Sequence, residues 1–173
     1  MDLQVAPLAA ILDLNTDLLL NAMEGLGETE ARSRLPGGGN SISFLAAHLT
    51  DTRHFLAARI GQPLANPLTR YLGEARGIED IATWPALPEL RTAWCAVSAH
   101  LASALAGLSA IEIARPLPHR FPIADGTLVG MLAFLAQHDS YHVGQVAFLR
   151  RQLGQPAMSY RRGSGAASPP DAP

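Results

Sequence analysis

The sequence predicts an all-α fold, a four-helix bundle with long crossover connections, on three observations. Four stretches of about 18 to 26 residues place apolar side chains at three- and four-residue intervals. Each stretch carries a single apolar stripe, and four such stripes bury one another in a bundle. The segments between them are crowded with glycine and proline, which stop helices.

The first helix spans residues 6–23, with Leu8, Ile11, Leu12, Asn15, Leu18, Leu19 and Ala22 on its stripe and Gly25 and Gly27 closing it. The loop Leu35-Pro36-Gly37-Gly38-Gly39-Asn40 is too glycine-rich for helix or strand. Ser41 is a good N-cap for the second helix, which runs to residue 60 before Gly61. Its seam reads as Leu45, His48 or Leu49, Thr52, Phe55 or Leu56, and Arg59. A long connection to Pro88 has room for one helical turn over residues 78–82. The third helix, residues 89–108, carries Leu90, Ala93, Trp94, Val97, Leu101, Ala104, Leu105 and Leu108. Residues 115–123 hold too many prolines for a helix and read as an extended crossover. Asp125-Gly126 makes a turn and Thr127 an N-cap; the fourth helix runs over residues 128–153 and stops at Gly154. We read residues 1–158 as one helical domain and 159–173, rich in Gly, Ser, Ala and Pro, as a flexible tail.

Composition narrows the function classes. The chain has 173 residues, 48% hydrophobic and 16% charged, which suits a globular protein with a real core. A formal charge of −2 and a pI near 6.3 give no reason to expect nucleic acid or an anionic membrane as partner. No run of about 18 residues is apolar enough for a membrane span, and the N-terminus lacks the pattern of a secretory signal. The single cysteine, Cys95, excludes an internal disulfide, and the expected location is cytoplasmic.

The chemistry concentrates in His138-Asp139-Ser140-Tyr141-His142-Val143-Gly144-Gln145. Residues four apart on an α-helix differ by about 40° around the axis and about 6 Å along it, so His138 and His142 share a face. A stripe drawn through Leu128, Leu132, Leu135, His138, His142, Val146 and Leu149 puts both imidazoles where a plain bundle places leucine. A metal ion would account for both, whereas carbonyl or carboxylate partners would account for each alone. A third ligand is needed, and His48, beside the seam of the second helix, is the best candidate. His54 lies about 240° around the helix from His48 and cannot share an ion with it. His100, flanking the third stripe, and His119, between prolines, read as solvated or structural. Three imidazoles leave at least one coordination position open, as in a catalytic rather than a structural site. Nitrogen donors suit zinc, nickel, iron and copper alike.

The spacing His138-x-x-x-His142-x-Gly144-Gln145, followed by Leu149-Arg150-Arg151-Gln152-Leu153-Gly154, resembles the last helix of the DinB-like superfamily. Ser41-Ile42-x-Phe44-Leu45-x-x-His48-Leu49 is similar to the superfamily's second-helix motif, and the resemblance spans about residues 5–155. It implies a four-helix bundle, commonly a homodimer, with one divalent metal held by His48, His138 and His142. Zinc or nickel fits best, and iron is an alternative. It also implies thiol-dependent chemistry on a small-molecule substrate: S-transferases and isomerases that use a low-molecular-weight thiol such as bacillithiol or mycothiol. The chain departs from the pattern at Gly130, three residues after Thr127, where many relatives carry an acid.

Asp51 and Asp139 lie one turn from a histidine, where each is a candidate to hold an imidazole's outer N–H or orient a bound water. Tyr141 is a candidate hydrogen-bond donor near the metal. Arg150-Arg151 and Arg161-Arg162 read as solvated charges, and Trp84, Trp94 and Cys95 as core or boundary residues. Three functions compete. The first is a mononuclear metalloenzyme, with thiol transfer as its leading reaction and metal-water hydrolysis behind it. The second is a carboxylate-bridged di-metal bundle built on Asp51-x-x-His54 and Asp139-x-x-His142, with Asp13 and Asp17 from the first helix. The third is a non-catalytic, stress-related metal-binding or dimerisation module.

Overall fold

The computed structural model describes residues 1–73, 75, 77–118 and 121–160. Four long helices form where the apolar periodicity places them. Helix α1 (Ala6–Ala22) admits a proline in its first turn, where the missing N–H has no intrahelical partner to lose. A five-residue α2 (Glu28–Arg32) follows, begun by Glu30, whose carboxylate accepts from the Gly27 amide at 2.9 Å. Helix α3 (Ile42–Arg59) starts at Ser41, whose hydroxyl oxygen accepts from the Phe44 amide at 3.2 Å. The connection onward holds α4 (Thr69–Leu72) and a 3-10 turn at Ile78–Asp80, inside the span expected for one turn. Helix α5 (Leu87–Ala106) begins two residues earlier than its periodicity suggests, because Pro88 falls where proline is tolerated. The short α6 (Ala110–Ile113), which periodicity alone does not reveal, is begun by a reciprocal Ser109–Glu112 cap. Helix α7 (Leu128–Gln152) closes the fold, and Gly154 follows it with a positive φ of 79°.

The all-helical expectation holds. Among the described residues the β pairing amounts to one isolated bridge, Pro116 with Thr127. The broadest helix pairs are α1 on α7 and α3 on α5; α3–α7 and α1–α5 contacts close the set. The connections α1–α3 and α5–α7 therefore step from one pair to the other. The longest one, between α3 and α5, joins neighbours. The chain is held beyond α7: Met158 packs on the core and the Ser159 amide donates to Asn21 Oδ1 at 2.8 Å. Residues 161–173, including Arg161 and Arg162, lie outside the described residues.

Apolar burial falls into two clusters. One gathers around Leu19, Leu45, Leu49, Leu90, Trp94, Val143 and Val146, the other around Leu12, Leu56, Leu101, Leu105, Leu132 and Leu135. Between them each long helix buries a polar residue: Asn15, Arg53, Ser98 and Asp139. No helix of the described residues is long and apolar enough to cross a membrane.

Candidate metal centre

Because α3 starts at Ser41, residue 48 sits about two turns in, on a face that borders α7. There the rings of His48, His138 and His142 converge. Nε2 of His138 lies 3.2 Å from Nε2 of His48 and 3.1 Å from Nε2 of His142. All three histidines offer a ligand atom within 4.8 Å of the others. Nitrogens that share an ion at bond lengths of about 2.0–2.1 Å sit roughly 3 Å apart, so the spacing suits joint ligation.

Hydrogen bonding alone does not account for this packing. A neutral imidazole nitrogen carries either one proton or one lone pair. His138 Nε2 therefore makes one conventional hydrogen bond, yet two imidazole nitrogens crowd it. A cation at the common point gives all three lone pairs a partner. The tautomer of His142 is fixed by its neighbour: its Nδ1–H donates to Gln145 Oε1 at 2.7 Å, leaving Nε2 bare. His138 Nδ1 is buried with no partner among the described residues.

Electrostatics favour the neutral form of two of these rings. Burial, followed by the neighbouring His142 and His48, pushes the His138 imidazole down to about 4. Burial and His142 lower His48 as well, against the opposing pull of Asp51. Both rings thus present free lone pairs at neutral pH. Aromatic side chains frame them. Phe44 stacks parallel to His48 at 6.1 Å, Phe134 lies 6.2 Å from His138 with Phe121 behind it, and Tyr141 meets His142 edge-on at 5.1 Å.

Several sequence expectations need correction. The three histidines are half-buried and flank the core stripe; the inward positions of α7 are Asp139, Val143 and Val146. On α3, Phe55 and Arg59 face outward, and Arg53 and His54 turn inward instead. Asp139, 1% exposed, accepts from Arg53 Nε at 2.9 Å through Oδ2 and is committed to that guanidinium. Asp51 accepts from Asn66 Nδ2 at 2.8 Å on the surface. Among the described residues the group able to share an ion consists of the three histidines, with no carboxylate in it. Tyr141 is 57% exposed beside the site. Arg150 is buried, not solvated, and donates to the carbonyls of Ala22, Glu24 and Pro156. Trp94 is buried, whereas Cys95 is exposed.

His54 and His100 stay apart from the three. His54 Nδ1–H donates to the Leu64 carbonyl at 3.1 Å and His100 Nε2–H to that of Gln62 at 2.8 Å. His119 lies outside the described residues. A cavity of about 220 Å3 between α1 and α5 touches Arg53, Cys95 and Ser98 and none of the three converging histidines. Burial of Arg53 escapes the sequence alone, as does the bond of Gln145 to His142.

No curated protein matches the chain. A family model does: the DinB superfamily model aligns over residues 11–146, a span that contains His48, His138 and His142. With the all-helical fold and the clustered histidines, that match places the chain in the DinB superfamily.

Proposed function

We propose that the chain is a mononuclear metalloprotein that holds one divalent transition ion, zinc or nickel, on His48, His138 and His142, and that it catalyses a thiol-dependent S-transfer or isomerisation. The observation that carries this reading is the meeting of three imidazole Nε2 atoms at spacings of 3.1–3.2 Å around His138. When bound, such an ion supplies Lewis acidity at open coordination positions and favours the deprotonated form of a thiol or water there.

The chain's own groups do the rest. Gln145 Oε1 holds the His142 Nδ1 proton and so keeps Nε2 aimed at the common point. Phe44, Phe134 and Tyr141 shield the imidazoles from water on several sides, while the half-exposed rings leave an approach for a small molecule. A thiol sulfur would attack an electrophilic carbon, its proton passing to solvent and the leaving group departing with the displaced electron pair. The proposal extends to a homodimer, supported by the outward Tyr141 and Phe148 one heptad apart on α7, and to a cytoplasmic location, supported by the lone cysteine.

Elemental analysis of gently purified protein beside His48→Ala tests the metal. One ion per chain, lost in the variant, is the expected result; two ions per chain would restore the paired-metal alternative. Adding a low-molecular-weight thiol to the cobalt-substituted protein tests the reaction class. A thiolate-to-metal charge-transfer band is expected. A metal-loaded protein without that band would point to hydrolysis or to a non-catalytic module.

A further inference from the structure

The polar layer between the two apolar clusters takes one residue from each long helix: Asn15 from α1, Arg53 from α3, Ser98 from α5 and Asp139 from α7. Arg53, 2% exposed, joins Ser98 and Asp139. Its Nε–H donates to Asp139 Oδ2 at 2.9 Å, its Nη1 group to Thr16 Oγ1 at 2.7 Å and Ser98 Oγ at 2.6 Å, and its Nη2 group to the Leu12 carbonyl at 2.6 Å. The guanidinium also lies 3.8 Å over the Trp94 ring. Asn15 adds a bond from Nδ2 to Ser140 Oγ at 2.9 Å. One side chain of α3 thus contacts all three other long helices at a single level.

Stability does not explain such a layer. A buried ion pair is often no better for stability than well-packed apolar residues of similar volume. What it does supply is register: apolar stripes tolerate sliding past one another, whereas a buried pair with fixed partners is satisfied in one alignment. In that alignment His48 meets His138, the residue before Asp139, and His142, one turn further along α7.

We propose that Arg53 and Asp139 are positioning residues for the metal centre, locking α3 against α7 in the register that brings His48 to the two histidines of α7. The proposal rests on the metal reading above. It assigns the pair no contact with metal or substrate; it acts through the helices.

The test is the double replacement Arg53→Met with Asp139→Leu, which removes both charges together, beside Leu105→Ala as a core variant in the other half of the bundle. Zinc affinity is measured by competition with a chromogenic chelator, and helix content and thermal midpoint by circular dichroism. The double variant is expected to stay helical and melt cooperatively yet bind zinc at least tenfold more weakly. Leu105→Ala is expected to melt earlier with zinc affinity unchanged. A folded double variant with wild-type affinity would overturn the proposal, as would an equal loss of affinity in Leu105→Ala. Should the double variant not fold, Arg53→Lys makes the same comparison, since it keeps the charge and loses the guanidinium fork; weaker zinc binding supports the register role and unchanged binding refutes it. Wild-type protein that holds neither zinc nor nickel would instead refute the metal reading on which this one stands.

Discussion

Two polar clusters share the middle of α7, one on its inner face and one beside it, and they differ in how completely they satisfy themselves. Asp139 and Arg53 are buried, and the donors of Arg53 run to acceptors on α1, α5 and α7. His48, His138 and His142 are half-buried, their nitrogens face one another, and His138 Nδ1 has no partner among the described residues. A cluster whose buried charges are paired with each other serves the fold. A crowded set of lone pairs offers itself to an additional group, as a candidate binding site does.

The difference can be broken most forcefully from the inner side. Arg53→Met alone leaves Asp139 buried beside no cation, and a loss of about 3–5 kcal/mol in unfolding free energy is expected by chemical denaturation. A loss near zero would mean that the layer is no structural device. The outer cluster should respond in ligand affinity instead. Gln145→Ala frees His142 Nδ1 and should weaken metal binding by about 10–100-fold, read by chelator competition, while stability of the metal-free protein stays within about 0.5 kcal/mol.

A site outside both clusters gives the scale for purely structural damage. A Cβ on Gly130 would stand 2.1 Å from the Asp125 carbonyl oxygen, so Gly130→Ala must shift the turn that begins α7. A cost of about 1–3 kcal/mol is expected, with metal affinity unchanged. The same contact explains why an acid at this position is excluded here. Asp125 takes over the helix start, its Oδ1 accepting from the Thr127 amide at 2.8 Å and from the Thr127 hydroxyl at 2.6 Å.

His138 in the fold sits near 4 and His48 is also lowered, against an ordinary value of 6.5. Between those values the unfolded chain binds more protons than the folded one. Stability of the metal-free protein is therefore full above about pH 6.5 and falls as pH drops toward 4. Denaturation midpoints of wild type and His138→Ala across that window check this: the variant should show the shallower slope. The smallest effect belongs to Tyr141→Ser, whose exposed ring should move stability by no more than about 0.5 kcal/mol.

Much of this was legible before any coordinates. The four long helices follow from periodicity, and the histidine set from their spacing and their company of apolar residues. The phase of α7 was harder. A stripe drawn through His138 and His142 is one residue out, because Asp139 looks like a surface residue until Arg53 is known to face it. The pattern does carry a trace of that pair. Arg53 lies four residues after Leu49, and Asp139 lies four after Leu135 and four before Val143, so both acid and base interrupt apolar stripes at helical spacing. Each alone reads as a solvated charge; only the partner on another helix makes burial affordable, and no local pattern names that partner. The crossing order of the helices was hidden for the same reason, since connection length does not reveal which helices become neighbours.

The most direct measurement is an anomalous-difference map from crystals of zinc-loaded protein. One peak per chain is expected, about 2.0–2.1 Å from Nε2 of His48, His138 and His142 together. A peak on carboxylates elsewhere, one that touches the α7 histidines while the His48 ring turns away, or no peak at all would contradict it.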